Sequence, residues 1–499
     1  MSKYGLDPYA TIGLTENPFV PRALGADVLG KRLLVGRDEE VTLVGRRLHK
    51  NGKITCLDGH VGVGKTSLVN VAAFDCFQAY LAGETEQLLI PSVVSFQLKP
   101  NGSVDQFCAE VFQGVAQTLI QYQEHLQKYD IQKFPLPQIH TWLNSPIVQH
   151  LNATAKSGFR FGVPSVASVS VEGGVNTSNQ VNQSAGFSQS GFESLVRQLL
   201  NEIFTVRGNG GVVCVIDNIE LLENGMAARK MLEALRDKLF NVNGLRWVFC
   251  GANGVIHSLA GSPRLTAFLN PVIKVANVKP SAIIPLVRAR LQEYSTDAKE
   301  VERELPVALE DLELLYRIVN SNLRDLLALA DEFCEYCVQS GRPVRTSSTR
   351  KEKFERWLEK ATGDRYDDLS SRVSQNAWAV LDVAMSSLFQ GTFGAAEYSS
   401  FNQNSTVSFV ETTFKKWLSQ LEKLGLISKE SNEGTGDSSE DDSESGKFSR
   451  DVFTVTAKGA LVHYARRKRR ENLSVADDPE WMRPIHHVDT SAPRKTNRY

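Results

Sequence analysis

The chain has 499 residues, of which 42% are hydrophobic, and its 56 Lys and Arg against 57 Asp and Glu leave a formal net charge of −1. That length exceeds what one core ordinarily holds, so two or three domains are expected. Near-neutrality excludes nucleic-acid binding through a global positive field and leaves room only for a local basic face.

Seven cysteines scattered through apolar segments suit a reducing compartment better than a disulfide framework. Cys334 and Cys337 form a lone C-x-x-C, read as two neighbours on a helix. The opening residues lack a signal-peptide apolar region, and no run of about eighteen apolar residues occurs, so a soluble cytoplasmic protein without a membrane partner is expected.

In chain order, the first informative segment is Gly59-His60-Val61-Gly62-Val63-Gly64-Lys65-Thr66, between the apolar Ile54-Thr55-Cys56-Leu57 and a helical pattern through Ser67, Leu68, Val69, Val71, Ala72 and Ala73. Glycines let successive N–H groups turn inward around a phosphate, and the following helix aims its positive end at the same anion. Lys65 would reach the β- and γ-phosphates, and the Thr66 hydroxyl would help hold Mg²⁺. Residues Gly59 to Ser67 are therefore read as a nucleoside-triphosphate site.

Residues 88–97 predict a buried strand and 105–129 a helix with Phe112, Val115, Leu119 and Leu126 on one face, the alternation a parallel sheet requires. Between 158 and 190 the composition turns to Gly, Ser, Asn and Gln, with Phe159, Phe161, Val163, Val169 and Val171 alternating across Pro164-Ser165. This predicts a β-hairpin and a polar segment inserted in the sheet, either a contact surface or an inert excursion.

Helical spacing from Phe192 to Phe204 leads to Val212-Val213-Cys214-Val215-Ile216-Asp217, a β-branched run that predicts a central strand delivering Asp217 to the Mg²⁺ side of the pocket. A further strand, Arg246 to Cys250, ends at Gly251-Ala252-Asn253, placing an amide at the carboxyl edge of the sheet, where ligands bind.

From Ser281 the pattern is helical through Ile283, Leu286, Val287 and Leu291 to Leu312, Leu315, Leu326 and Leu329. The charged stretch Ser347 to Asp364 carries its own stripe of Phe354, Trp357 and Leu358. Beyond it, Ala377, Val380, Leu381, Ala384 and Leu388 predict one helix face, and Phe414, Trp417, Leu418, Leu421 and Leu424 another that stops at Gly425. Leu426-Ile427-Ser428 and Val452-Phe453-Thr454-Val455 predict a two-stranded ribbon whose acidic Ser/Gly-rich loop is expected to be disordered, followed by a last helix bearing Arg466-Arg467-Lys468-Arg469-Arg470.

With these residues in place, residues 14 to 470 resemble the AAA+ ATPases, especially the origin-recognition and Cdc6-like branch and its relatives in bacterial defence and transposition. The resemblance implies an α/β fold in which a P-loop parallel sheet flanked by helices is followed by a helical lid and a winged-helix domain. The implied division is a core of 1–280 with the 158–190 insertion, a lid of 281–345, a linker helix of 346–372, a winged helix of 373–470 with a disordered loop of 430–449, and a tail of 471–499. Asn17-Pro18-Phe19 and Leu34-Val35-Gly36-Arg37-Asp38-Glu39-Glu40 are similar to the family motif beside the adenine, which puts Val35 against the nucleotide.

The phosphate loop is similar to Walker A and Asp217 to the Walker B aspartate, with ATP and Mg²⁺ as implied cofactors. Asn253 resembles the sensor-1 residue, and Arg324, in Asn322-Leu323-Arg324-Asp325, the sensor-2 arginine of the lid. Arg264, in Ser262-Pro263-Arg264, is the candidate for an arginine given to a neighbouring subunit, with a plain surface arginine as the other reading. One departure stands out. Asn218 occupies the place of the usual Walker B glutamate, and an amide cannot take a proton from water. Glu220 faces the same side if the strand continues and is the candidate replacement, so slow hydrolysis is expected.

A winged helix would set its recognition helix, about Phe409 to Leu424, in the DNA major groove, with Lys415, Lys416 and Lys423 and the arginine cluster supplying charge. The acidic loop would repel DNA where a wing touches it. Two classes therefore remain: a homo-oligomeric ATPase acting on double-stranded DNA as initiator, transposition regulator or anti-phage defence protein, and a signalling switch that recruits a protein effector.

Overall fold

The computed structural model describes residues 7, 9–99, 102–127, 189–205, 208–219, 225–252, 256, 259, 262–339, 347–405, 407, 408, 410–430 and 451–471. The hairpin expected within 158–190 lies outside the described residues, apart from the start of helix Gln189–Thr205. So do the acidic loop beyond Glu430 and the tail beyond Glu471. Contacts divide the chain into a core unit, Ala23–Ala276, and a second unit made of the residues up to Arg22 and those from Asn277 on.

The core unit is an α/β fold built on five strands: β1 Thr55–Asp58, β2 Leu89–Gln97, β3 Gly211–Asp217, β4 Leu245–Gly251 and β5 Ile273–Lys274. They run parallel in the order β2-β3-β4-β1-β5. Strands β3 and β4 are central and nearly continuous apolar runs, because a parallel sheet covered on both faces leaves them no solvent side. The period-2 alternation sorts their side chains. Val212, Cys214, Ile216, Trp247 and Phe249 join the core under helices Val104–Gln121 and Gln189–Thr205. Val213, Val215, Val248 and Cys250 join the opposite core, under helices Asp38–Leu48 and Lys65–Leu81.

In the second unit, helices Ile283–Tyr294, Leu309–Ile318 and Leu323–Gln339 carry the expected apolar stripes inward. Cys334 and Cys337 are both buried on the last of these, and burial pushes both thiols up, to about 11 for Cys337. The segment before Arg22 is fastened to the same helices. Arg290, 6% exposed, donates to the carbonyls of Pro18 (2.8 Å) and Val20 (3.2 Å), and Asp331 accepts from Tyr9 Oη (2.5 Å) and Asn17 Nδ2 (2.9 Å). Asn17-Pro18-Phe19 thus belongs to the helical unit, whereas Leu34 to Glu40 belongs to the core unit.

The charged linker is a 24-residue helix, Ser347–Ser370, which buries Phe354, Trp357 and Leu358 and lies against helix Ala457–Glu471. Between them come helices Gln375–Ala384 and Glu411–Lys423 and an antiparallel sheet of β6 Thr392–Gly394, β7 Ile427–Glu430 and β8 Val452–Val455, in the order β6-β8-β7. The ribbon was expected with two strands. At three residues β6 is too short to show an alternation.

Leu388 departs from its expected helix face: the helix ends at Ala384, the chain turns through positive-φ Gln390 and Gly391 into β6, and Leu388 is 58% exposed. Gly425 has φ +70°, as the expected left-handed cap requires. Among the described residues no helix is long and apolar enough to cross a membrane.

Candidate nucleotide site

The glycine-rich loop leaves the carboxyl end of β1 at Asp58 and runs into helix Lys65–Leu81, with Gly62 and Gly64 at φ +86° and +94°, a region that disfavours any side chain. Val63, between them, points into the core at 5% exposure, while Val61 is 45% exposed. Lys65 is 6% exposed, and its Nζ donates to the carbonyls of Gly59 (2.8 Å) and His60 (3.2 Å). A phosphate oxygen is a stronger, charge-assisted acceptor than either carbonyl. Burial and the nearby Lys65 charge hold the His60 imidazole below its ordinary range, with Asp58 opposing, so His60 is neutral at pH 7.

Asp217 ends β3, which is separated from β1 by β4. Across that gap the Thr66 hydroxyl donates to Asp217 Oδ2 at 2.6 Å, and the Asn218 N–H donates to Oδ1 at 2.9 Å. The hydroxyl and carboxylate that the sequence assigned to one metal ion, 151 residues apart in the chain, are therefore adjacent. Donation to Asp217 leaves the Thr66 lone pairs for a hard cation, the oxygen chemistry Mg²⁺ takes beside a triphosphate.

Asn218 has φ +54°, a left-handed conformation that asparagine tolerates, so the strand alternation stops at Asp217. The side-sharing used to pair Glu220 with Asn218 does not follow from this backbone. Glu220 itself, and Asn253 two residues beyond the end of β4, lie outside the described residues.

Ser67, assigned to the nucleotide, accepts through Oγ from the Leu24 N–H at 3.0 Å, and Asn70 Nδ2 donates to the Leu24 carbonyl at 2.8 Å. Both tether the preceding segment to the loop helix. Val35 is half-buried, just before Arg37. Arg264 is exposed on the short helix Pro263–Thr266. That helix starts at buried Ser262, whose Oγ donates to Glu233 Oε1 at 2.5 Å, and Arg229 Nε donates to the same oxygen at 2.9 Å. These bonds from Ser262 and Arg229 hold the Glu233 carboxyl below its usual range. Arg324 is exposed at the start of helix Leu323–Gln339, in the second unit, where Asn322 Oδ1 accepts from its N–H at 3.0 Å.

On helix Glu411–Lys423, Lys415, Lys416 and Lys423 are all exposed, and Lys415 pairs with Glu411 at 2.7 Å. Three arginines of the cluster have carboxylate partners within the protein. Arg466 binds both carboxylate oxygens of Asp382 and lies 5.0 Å over Trp378. Arg469 binds Asp367 at 2.5 and 2.9 Å, and Arg470 reaches Asp382 at 3.4 Å. A run of charges in sequence carries no sign of partners nearly a hundred residues away.

Sequence reading also missed what Arg37 does. Its guanidinium, 5% exposed, donates to the carbonyls of Val63 in the glycine-rich loop (3.1 Å) and Ala276 (2.7 Å), the latter 239 residues away. The only local signal is Glu40, whose carboxylate meets Arg37 at 2.9 Å.

No protein-family model matches this sequence, and no curated protein matches it. Among solved structures, the chain is similar to the ORC2 protein of Aeropyrum pernix in ADPNP and ADP complexes, at 12% identity over 92% of this chain and 100% of that one, with a TM-score of 0.41. It is likewise similar to the ORC1 protein of Aeropyrum pernix in complex with DNA, at 12% identity over 88% and 94%, with a TM-score of 0.39. For Cdc6p from Pyrobaculum aerophilum the values are 12%, 92%, 99% and 0.34. The strand order and the loop geometry, not these likenesses, carry the reading that follows.

Proposed function

We propose that this chain is an ATP-binding, slowly hydrolysing AAA+ switch that assembles with copies of itself and acts on double-stranded DNA through a C-terminal winged helix. The observation that carries it is the Thr66–Asp217 hydrogen bond at the end of a glycine-rich loop that also holds Lys65. Loop N–H groups and Lys65 bind and orient the phosphates. Mg²⁺, bound with the triphosphate, would neutralise its charge beside Thr66 and Asp217. In this reading Asn253 and Arg324 approach the terminal phosphate, and Arg264 serves the site of a neighbouring copy.

Asn218 can orient water but cannot take its proton, and Glu220 is the proposed base. Steady-state turnover is accordingly expected below about 10 s⁻¹, the median for enzymes. A coupled phosphate-release assay on the assembled protein checks this, and faster turnover would show that an effective base is in place.

Residues Thr412, Lys416, Ser419 and Lys423 recur at helical spacing on the polar side of helix Glu411–Lys423, opposite the buried Phe414, Trp417, Leu418 and Leu421. The double substitution Lys416→Ala/Lys423→Ala is expected to weaken duplex binding and to reduce the slope of log K against log salt by about 2, since each phosphate contact contributes about 0.9. Fluorescence anisotropy over a salt series measures it. An unchanged slope would move the DNA contact elsewhere or remove it.

The second reading, a switch that recruits a protein effector, is favoured by one observation: Asp382 and Asp367 already engage Arg466, Arg469 and Arg470. ATP-dependent assembly that ignores DNA and salt would select it.

A further inference from the structure

We propose that Arg37 is a positioning residue that carries the state of the phosphate loop to the place where the chain leaves the core unit. The inference rests on the nucleotide reading above.

Its Nη2 bears two protons, and the two carbonyls it meets take both: Val63 in the loop at 3.1 Å and Ala276 at 2.7 Å. Nη1 is held by Glu40, so the planar guanidinium is fixed on three sides at 5% exposure. The other end of the loop touches the same dipeptide. A Cβ on Gly59 would stand 2.5 Å from the Val275 carbonyl oxygen, so the backbones pack there without a side chain between them, and the Val275 N–H donates to Asp58 at 2.7 Å. The chain passes from the core unit into the second unit between Ala276 and Asn277.

Lys65 links this frame to the ligand. Its ammonium donates two of its three protons to the carbonyls of Gly59 and His60, and a phosphate that takes the third competes with both for the same cation and weakens those bonds. The loop cannot redistribute those bonds without bearing on Val275 through Gly59 or on Ala276 through Arg37. Phosphate binding is thereby felt at Val275–Ala276, the last residues of the core unit before the chain leaves it.

Hydrogen exchange of the full chain, with and without ATP and Mg²⁺, tests this. In the wild type, ATP is expected to slow exchange of both the loop amides at Gly62–Thr66 and the amides at Val275–Val278, the latter at least about fivefold. At saturating ATP, Arg37→Gln should keep loop protection and lose that at Val275–Val278, whereas Glu40→Gln, which spares both carbonyl bonds, should keep both. If Arg37→Gln does not fold, Arg37→Lys takes its place, with partial protection expected. Wild-type protection at Val275–Val278 in either Arg37 variant overturns the proposal, as does its absence from a wild type whose loop is protected. A wild type with no loop protection removes the nucleotide reading, and this inference with it.

Discussion

Lys65→Ala is expected to weaken ATP·Mg²⁺ binding at least about tenfold and to lower turnover by about 10²–10³, the loss typical when one preorganised donor to a developing anion is removed. Lys65 sits at 6% exposure with two acceptors at 2.8 and 3.2 Å, so its cation is already desolvated beside the place a phosphate would occupy. A hydrogen bond from such a group is stronger than one in water. Alanine also leaves the Gly59 and His60 carbonyls without this donor, loosening the loop that must present its N–H groups inward. Calorimetric titration of ATP·Mg²⁺ into the folded variant, beside a single-turnover assay, separates the two losses. Wild-type affinity in the variant would mean that the glycine-rich loop is not the phosphate site.

The features legible in the sequence are those written in short range. The glycine-rich loop, the β-branched run into Asp217 and the apolar stripes of the helices between Ile283 and Gln339 all carry periods or spacings that a window of a dozen residues displays. Their outcomes followed in strands β1 and β3 and in the buried faces of those helices. Partnership over distance was not legible. Arg37 reads as one charged residue in Gly36-Arg37-Asp38-Glu39, and nothing in that stretch points to the Ala276 carbonyl.

The arginine cluster near residue 468 reads as a free basic surface until Asp367 and Asp382 are brought beside it by helices Ser347–Ser370 and Gln375–Ala384. Backbone conformation was equally hidden at Asn218. Its positive φ ends the alternation on which the placement of Glu220 depended, and asparagine gives only a weak hint of a left-handed turn.

The same Asp382 sets the largest stability effect. His463 is 1% exposed and lies 3.3 Å from this carboxylate, while Arg466, 13% exposed, donates through Nη1 to both carboxylate oxygens and covers Trp378. Removing the carboxylate with Asp382→Ala strands a largely buried guanidinium, which costs about 3 kcal/mol, the low end for a broken buried pair because Asp382 keeps 28% exposure.

The variant also changes the response to pH. Burial lowers the His463 imidazole below its ordinary value, with Asp382 opposing. Burial raises the Asp382 carboxyl, but the bonds from His463 and Arg466 outweigh it and leave the group low. Both folded-state values lie below the unfolded ones, about 6.5 and 3.9, so the unfolded chain binds more protons in acid. The stability these groups contribute is present above those values and is lost as pH falls, first through His463 and then through Asp382. Without the carboxylate, the imidazole loses the group that favours its charged form and its folded value drops further. Asp382→Ala should therefore lose stability more steeply than the wild type between about pH 6.5 and 5, on top of the loss at pH 7. Denaturant unfolding followed by the fluorescence of Trp378 and Trp417, which lie in this module, measures both terms. A loss under about 1 kcal/mol at pH 7 with an unchanged slope in acid would make the pair a surface contact.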